Sequence, residues 1–216
     1  MTRRANHRVD VETQISAWRA KGESIDRLAG EIRACRLCAE DFSHAPRPIL
    51  QTGGRARIAI FGQAPGNLAH QEGRPFTDPS GVRLRSWLGV DEATFYNSEA
   101  FAIVPMAFCF PGYDAAGSDL PPPKRCAATW RARVMAALPQ LELAILVGAY
   151  AQKWHLGERA KRTMTETVAA WREYAPVFAP TPHPSWRNNA WLKKNPWFEA
   201  DLLPEIRARV AMLSAR

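Results

Sequence analysis

Four short apolar runs punctuate the chain: Arg57–Phe61, Ala100–Phe108, Leu141–Val147 and Val177–Thr181. The first three are nearly continuous in apolar character, the pattern of strands buried on both faces. Helical periodicity fills the intervals. Ser80–Leu88 follows the first run, Lys124–Leu138 the second, and Ala149–Leu156 with Thr165–Glu173 the third. Upstream, Asp10–Lys21 places Val11, Ile15 and Trp18 on one helical face. Ser24–Ala34 does the same with Ile25, Leu28 and Ile32, and Ser24 is its expected N-cap. Ala190–Arg216 closes the chain as a helical stretch broken by Pro196 and Pro204. Phe42–Gly54 reads as loop, and residues 1–10 as a flexible basic arm.

Strands alternating with helices predict an α/β fold, a three-layer α/β/α sandwich around a four-stranded parallel sheet. At 216 residues the whole chain is expected to be one domain. Ligands of such sheets sit at the carboxyl ends of the strands. The loops after Phe61, Phe108 and Thr181 are therefore where a site is expected.

Charge narrows the partners. The formal net charge is +8, which favours a polyanion such as DNA, RNA or an acidic membrane surface. No apolar run approaches the roughly 20 residues of a membrane span. The basic start, Met1 to Arg8, leads into no apolar stretch and so does not read as a secretory signal. A cytoplasmic, monomeric protein is the expectation. Thiols stay reduced in that compartment, so the four cysteines are not expected to pair as disulfides. Cys35 and Cys38 form a C-x2-C pair; Cys109 and Cys126 lie far downstream, with sixteen residues between them. Four thiolates suit zinc or a [4Fe–4S] cluster, and ligand softness alone leaves both open, as well as no metal at all.

Two motifs sit at strand ends. Gly62-Gln63-Ala64-Pro65-Gly66 follows the first run, with Gly73-Arg74-Pro75-Phe76 just beyond it. Thr181-Pro182-His183-Pro184-Ser185 follows the last. A Gly/Pro-rich turn points backbone N–H groups into a site, and a histidine between prolines is held on a stiff loop.

In this order and at these positions, the motifs resemble the uracil-DNA glycosylase superfamily. GQAPG is similar to the GEAPG of its iron–sulfur families, numbered 4 and 5. GRPF keeps their spacing, and HPS matches their second motif. The cysteine pattern is similar to their cluster ligands. The resemblance runs from about Cys35 to Pro204. It implies a DNA-repair enzyme that flips uracil out of DNA and hydrolyses its N-glycosidic bond. It implies His183 as the hydrogen-bond donor to uracil O2, and Gly62, Gln63, Ala64, Pro65 and Gly66 as the pocket wall. Phe76 becomes the stacking platform. Cys35, Cys38, Cys109 and Cys126 become ligands of a structural [4Fe–4S] cluster. In the loop after HPS, Arg187 is the expected wedge that fills the gap left by the flipped base, with Trp186 the alternative and Ser185 and Asn188 beside them. Lys193, Lys194, Arg74, Arg83, Arg85, Lys124 and Arg125 are candidates for phosphate contacts.

Three departures from the family pattern bear on specificity and rate. Pro105 stands where family 4 has an asparagine that reads the uracil edge, so backbone groups at Met106 or Ala107 are the expected substitute. Gln63 replaces the acidic residue of the first motif, and Ala64 stands where the best-known family has an aspartate that positions water. Gln63 can hydrogen-bond but cannot act as a base. His70 and Asp78, with Glu72 nearby, are the expected water-positioning groups. Gly66 stands where the best-known family has a tyrosine that rejects thymine's methyl group. Alternatives are therefore a glycosylase for hypoxanthine or xanthine, or a weakly catalytic protein that binds DNA or abasic sites.

Overall fold

The computed structural model describes residues 24–215. The expected helix Asp10–Lys21 and the basic arm 1–10 lie outside the described residues. Four strands form one sheet: β1 (Ile58–Phe61), β2 (Phe101–Ile103), β3 (Leu143–Val147) and β4 (Phe178–Thr181). Their order is β2-β1-β3-β4, and every pairing is parallel. All strand residues are buried.

Alternation along the strands divides the core in two. Ala59, Phe61, Ala102, Ala144, Leu146 and Phe178 face one layer, and Ile58, Ile60, Phe101, Ile103, Leu143 and Ile145 face the other. The first layer is built from α1 (Ile25–Arg33), α5 (Lys124–Ala136) and α6 (Ala149–Leu156). The second uses α3 (Pro79–Leu88), α7 (Met164–Ala169) and α9 (Leu203–Ser214). Short helices α2 (Asn67–Glu72), α4 (Glu92–Phe95) and α8 (Asn189–Lys194) complete the set. This is the expected three-layer sandwich. Among the described residues no helix is long and apolar enough to cross a membrane.

Several boundaries differ from expectation. The apolar run Ala100–Phe108 pairs as strand only to Ile103. Val104 N–H donates to Ile60 O (2.9 Å), and Met106 N–H reaches past the end of β1 to Gly62 O (2.8 Å), while Pro105, on the alternate side, has no N–H to offer the outer edge. Residues 104–108 continue as buried loop. Helix α2 was hidden behind the first motif; it ends at Gly73, whose φ of 74° closes it. The Thr165–Glu173 stretch starts one residue early, on a capping box between Thr163 and Glu166, and finishes as a separate 3₁₀ turn at Trp171–Glu173. Pro196 does interrupt the last stretch, but Pro204 does not: a π-helical turn at Phe198–Leu202 runs directly into α9, and Pro204 lies in the first turn after it. Ser24 occupies the N-cap position of α1 without a side-chain bond. Within the loop Phe42–Gly54, Gln51 exchanges backbone bonds with Ile103 (2.9 and 2.8 Å) and covers the outer edge of β2.

Candidate active site and thiol cavity

At the carboxyl ends of the strands opens a cleft of about 720 Å³. The first-motif turn Gly62–Gly66, Phe76, Asp78, Pro105, His183 and the loop Ser185–Asn188 line it. Two motifs 117 residues apart, counted from Gly66 to His183, are thus brought to one site by β1 and β4.

The second motif fixes its histidine through backbone. Ser185 N–H donates to His183 Nδ1 at 3.2 Å. Asn188 Nδ2 donates to His183 O (2.7 Å), and Arg83 Nη1 to Ser185 O (3.1 Å), which pins the loop to α3. With Nδ1 accepting, the proton of the neutral ring resides on Nε2. Burial lowers the pKa of His183; the carboxylates of Asp78 and Asp119 oppose that shift, and Arg187 adds to it. The net direction is downward, so the ring is neutral at neutral pH.

The first motif is held from below. Met106 N–H donates to Gly62 O (2.8 Å) and Ala107 N–H to Gln63 O (3.0 Å). These are the two amides expected to read the base. They are already committed to the turn, and Met106 is buried at 4 % exposure outside the cleft lining. The base-reading role assigned to Met106 is therefore corrected: its amide shapes the pocket wall.

Phe76 lines the cleft in a backbone conformation rare for L-residues, with φ 55°. Tyr96 Oη shares its proton between Pro75 O (2.8 Å) and Phe76 O (3.0 Å), and Arg85 Nη1 reaches Phe76 O at 3.4 Å. Gly81 packs so closely that an added Cβ would collide with the Phe76 carbonyl. On its other side the ring meets Phe95 edge-on at 6.3 Å. Neighbours thus hold the strained residue in place, which pre-organises the ring.

Of the expected water-positioning groups, one is in the cleft. Asp78 sits at the N-cap position of α3 without capping it, so the helix leaves its carboxylate available. His70 is not in the lining. One helical turn beyond the motif, its ring packs edge-on against His44 at 4.6 Å and lies 5.9 Å from Phe110. Burial lowers its pKa, with smaller contributions from His44 and Arg47. Glu72 is exposed and also outside the lining. The structure adds a carboxylate that sequence reasoning missed. Asp119 lines the cleft from the segment 111–120, with Tyr113 and Leu120. That segment is tied by a Tyr113–Asp119 bridge and by Asp114 Oδ1, which accepts from Ala116 N–H (2.9 Å) and Ser118 N–H (2.8 Å). The Asp114–Gly117 turn signal was its trace in the sequence.

At the rim, Trp186 is 72 % exposed, and the Arg187 guanidinium lies 5.8 Å from its ring. Several candidate phosphate contacts are engaged elsewhere. Arg74 stacks on Tyr96 and pairs with Glu92 (3.3 Å), Arg85 approaches Glu92 (3.8 Å), and Arg125 pairs with Asp41 (3.2 Å). Lys124, Lys193 and Lys194 are exposed.

A second cavity, on the α1 and α5 side, is lined by Cys35, Cys38, Cys109 and Cys126 together with apolar side chains such as Phe42 and Trp130. None of the four is in a disulfide. Burial raises Cys109 to about 12 and Cys126 to about 11, and it raises Cys38 as well; each also feels other thiols of the set. Among the described residues no group of three or more His, Cys, Asp or Glu is placed to hold a metal ion.

The family model of the Uracil DNA glycosylase superfamily matches residues 51–207. The match starts at the residue that bridges to β2 and ends within α9, so it takes in the whole sheet and both cleft motifs. With most of its length in that match, and the motifs meeting at the strand ends, the chain belongs to the uracil DNA glycosylase superfamily.

Proposed function

We propose that this protein excises uracil from DNA, hydrolysing the N-glycosidic bond of a flipped nucleotide and leaving an abasic site. One observation carries the reading. The amide of Ser185 occupies Nδ1 of His183, so Nε2 is the N–H donor of a ring that lines the same cleft as Gln63 and Phe76.

The chemistry follows from that donor. The bond between C1′ and N1 breaks with its electron pair leaving on the base, and negative charge develops at O2. A pre-organised neutral N–H stabilises it as an oxyanion hole does, with about 10²–10³ in rate at stake. The sugar becomes cationic; water adds to C1′ and gives up a proton. Asp78 and Asp119 are the carboxylates of the cleft that can hold this water and stabilise the cation. Phe76 offers a ring face for the extracted base. Trp186 and Arg187 stand at the rim to fill its place in the duplex.

The four cysteines are assigned to a [4Fe–4S] cluster. The support is that all four thiols line one apolar cavity and that their spacing is similar to the cluster ligands of families 4 and 5; zinc is the alternative occupant for four thiolates. When bound, the cluster would pin the Cys35–Cys38 segment to the Cys109–Cys126 loop, without redox work. Iron analysis and absorbance near about 400 nm test this, and a zinc-containing or colourless preparation counts against it.

A second reading, hypoxanthine or xanthine as the base, has its own support. A Cβ built on Gly66 meets nothing within 4 Å, so the pocket is open beside the first motif. A panel of defined lesions with detection of the free base decides between them. His183→Ala should slow uracil release by about 10²–10³ while the protein stays folded. Tight, salt-sensitive binding with no base released from any lesion would overturn the enzymatic reading in favour of a DNA-binding role.

A further inference from the structure

Arg131 is an unusual resident of a core. It projects from α5, is 1 % exposed, and heads the fully buried side chains by size. Among the described residues no carboxylate pairs with it. Around it are the faces of Phe61 (5.3 Å) and Trp154 (5.9 Å), the Cys126 thiol, and the buried neutral ring of His155. An uncompensated buried cation is costly, and an apolar side chain of similar volume would fill the space without that cost.

Its hydrogen bonds show what it does instead. Nη1 donates to Val104 O at 3.2 Å, and Nη2 donates to Pro105 O. These carbonyls belong to the first residues after β2, where strand pairing has ended, and both residues are buried. Buried carbonyls need donors, and a planar guanidinium can serve two neighbours at once. The next two residues continue the chain of bonds, because Met106 and Ala107 donate their amides to Gly62 O and Gln63 O. Pro105 itself lines the cleft.

We infer that Arg131 is the positioning residue of the base pocket: it fixes segment 104–107 from beneath, and that segment fixes the first-motif turn. It touches no substrate and acts through Pro105, Gly62 and Gln63. The inference rests on the cleft being the base pocket of a glycosylase.

The test uses the full-length protein as purified, with Arg131→Met and Arg131→Lys. Two duplex probes are compared, one carrying uncleavable 2′-fluoro-2′-deoxyuridine and one carrying a tetrahydrofuran abasic analogue. Arg131→Met should weaken the first by about tenfold, the size expected from losing buried hydrogen bonds, and leave the second unchanged. Arg131→Lys, which keeps the charge but not the fork, should fall between. Hydrogen exchange supplies a readout that needs no substrate: the amides of Met106 and Ala107 should exchange at least about tenfold faster in both variants, with amides of β3 unaffected. Unchanged exchange at those two amides overturns the inference. So does an equal loss on both probes, or a loss of bound iron with the ratio between the probes unchanged. A parent protein that ignores the fluorinated uracil duplex refutes the uracil reading, while the exchange result still decides the role of Arg131.

Discussion

The amide of Ser185, 3.2 Å from Nδ1 of His183, decides which ring nitrogen carries the proton. Replacing Ser185 with proline tests this directly. Its φ of −67° and ψ of 157° suit proline, which keeps the carbonyl that Asn188 N–H and Arg83 use; it removes the donor and the hydroxyl, and its Cδ takes the place of the N–H, so the His183 ring must also shift. We expect Ser185→Pro to fold and to excise more slowly, by a factor smaller than the 10²–10³ expected of His183→Ala. The pH profile should move too. A donor at Nδ1 favours the neutral ring, so its removal raises the pKa of His183. We expect the parent to lose activity only below the ordinary histidine value of about 6.5, because burial lowers this ring. The variant should lose activity at higher pH. A profile identical to the parent's would show that Ser185 does not set the tautomer.

Gly81 and Phe76 form a comparable pair. Phe76 bears a left-handed backbone that costs about 1–3 kcal/mol, and its carbonyl lies where a Cβ at position 81 would go. Gly81→Ala should therefore push Phe76 out of position. We expect about 1–3 kcal/mol of lost stability in urea unfolding together with weaker binding of an uncleavable uracil duplex. Phe76→Leu separates the effects, since it keeps the backbone and gives up the ring face, worth about 1–3 kcal/mol per stacked base. If Gly81→Ala binds and unfolds as the parent does, the packing argument fails.

The sheet and the meeting of the motifs were legible because both follow from strong local patterns. Ile58–Phe61 and Leu143–Val147 are short, rich in β-branched residues and apolar without a break, as a doubly covered parallel strand requires, and each motif directly follows a strand. Burial and strand pairing write the same letters, however. Residues 104–108 are as apolar as β2 and yet lie in loop, where Pro105 and the grip of Arg131 set the path. His70 fits a catalytic pattern by type and spacing, but a six-residue helix has too little periodicity to reveal which way it faces. Asp119 escaped for the opposite reason, since a polar segment with a turn reads as surface until the fold lays it across the cleft.

On the proposed mechanism, Asp119 and Asp78 take over the water-positioning role that Gln63 and Ala64 in the first motif cannot supply. Both carboxylates oppose the downward pKa shift of His183, and both line the cleft with it. We expect Asp78→Asn or Asp119→Asn to slow single-turnover excision by about 100-fold, the lower end for a positioned acid–base group. Each substitution also removes a charge that favours protonated His183. The acid limb of the rate profile should then move to lower pH, opposite to Ser185→Pro. Rates within twofold of the parent in both variants and in their double would remove carboxylate assistance from the mechanism.

His155 carries a prediction about stability. Its ring lies against Phe61 at 4.1 Å and Trp154 at 4.7 Å, and among the described residues neither ring nitrogen has a hydrogen-bond partner. Burial drives its pKa well below the ordinary range, and the Arg131 charge drives it further. A folded pKa below the unfolded one means that the unfolded chain takes up the proton first. Stability is therefore complete above about 6.5 and declines as pH falls through that value toward the folded pKa, by at most about 1.4 kcal/mol per pH unit for this group. His70 and His183 shift in the same direction and add to the decline. His155→Leu removes one proton-binding site and two unpartnered nitrogens while keeping an apolar body between the rings. Urea midpoints should match the parent closely at pH 7.5 and exceed it at pH 5. A variant as acid-sensitive as the parent would mean that His155 keeps its charge in the fold, which a ring enclosed beside a buried guanidinium cannot do without a partner that neither Phe61 nor Trp154 provides.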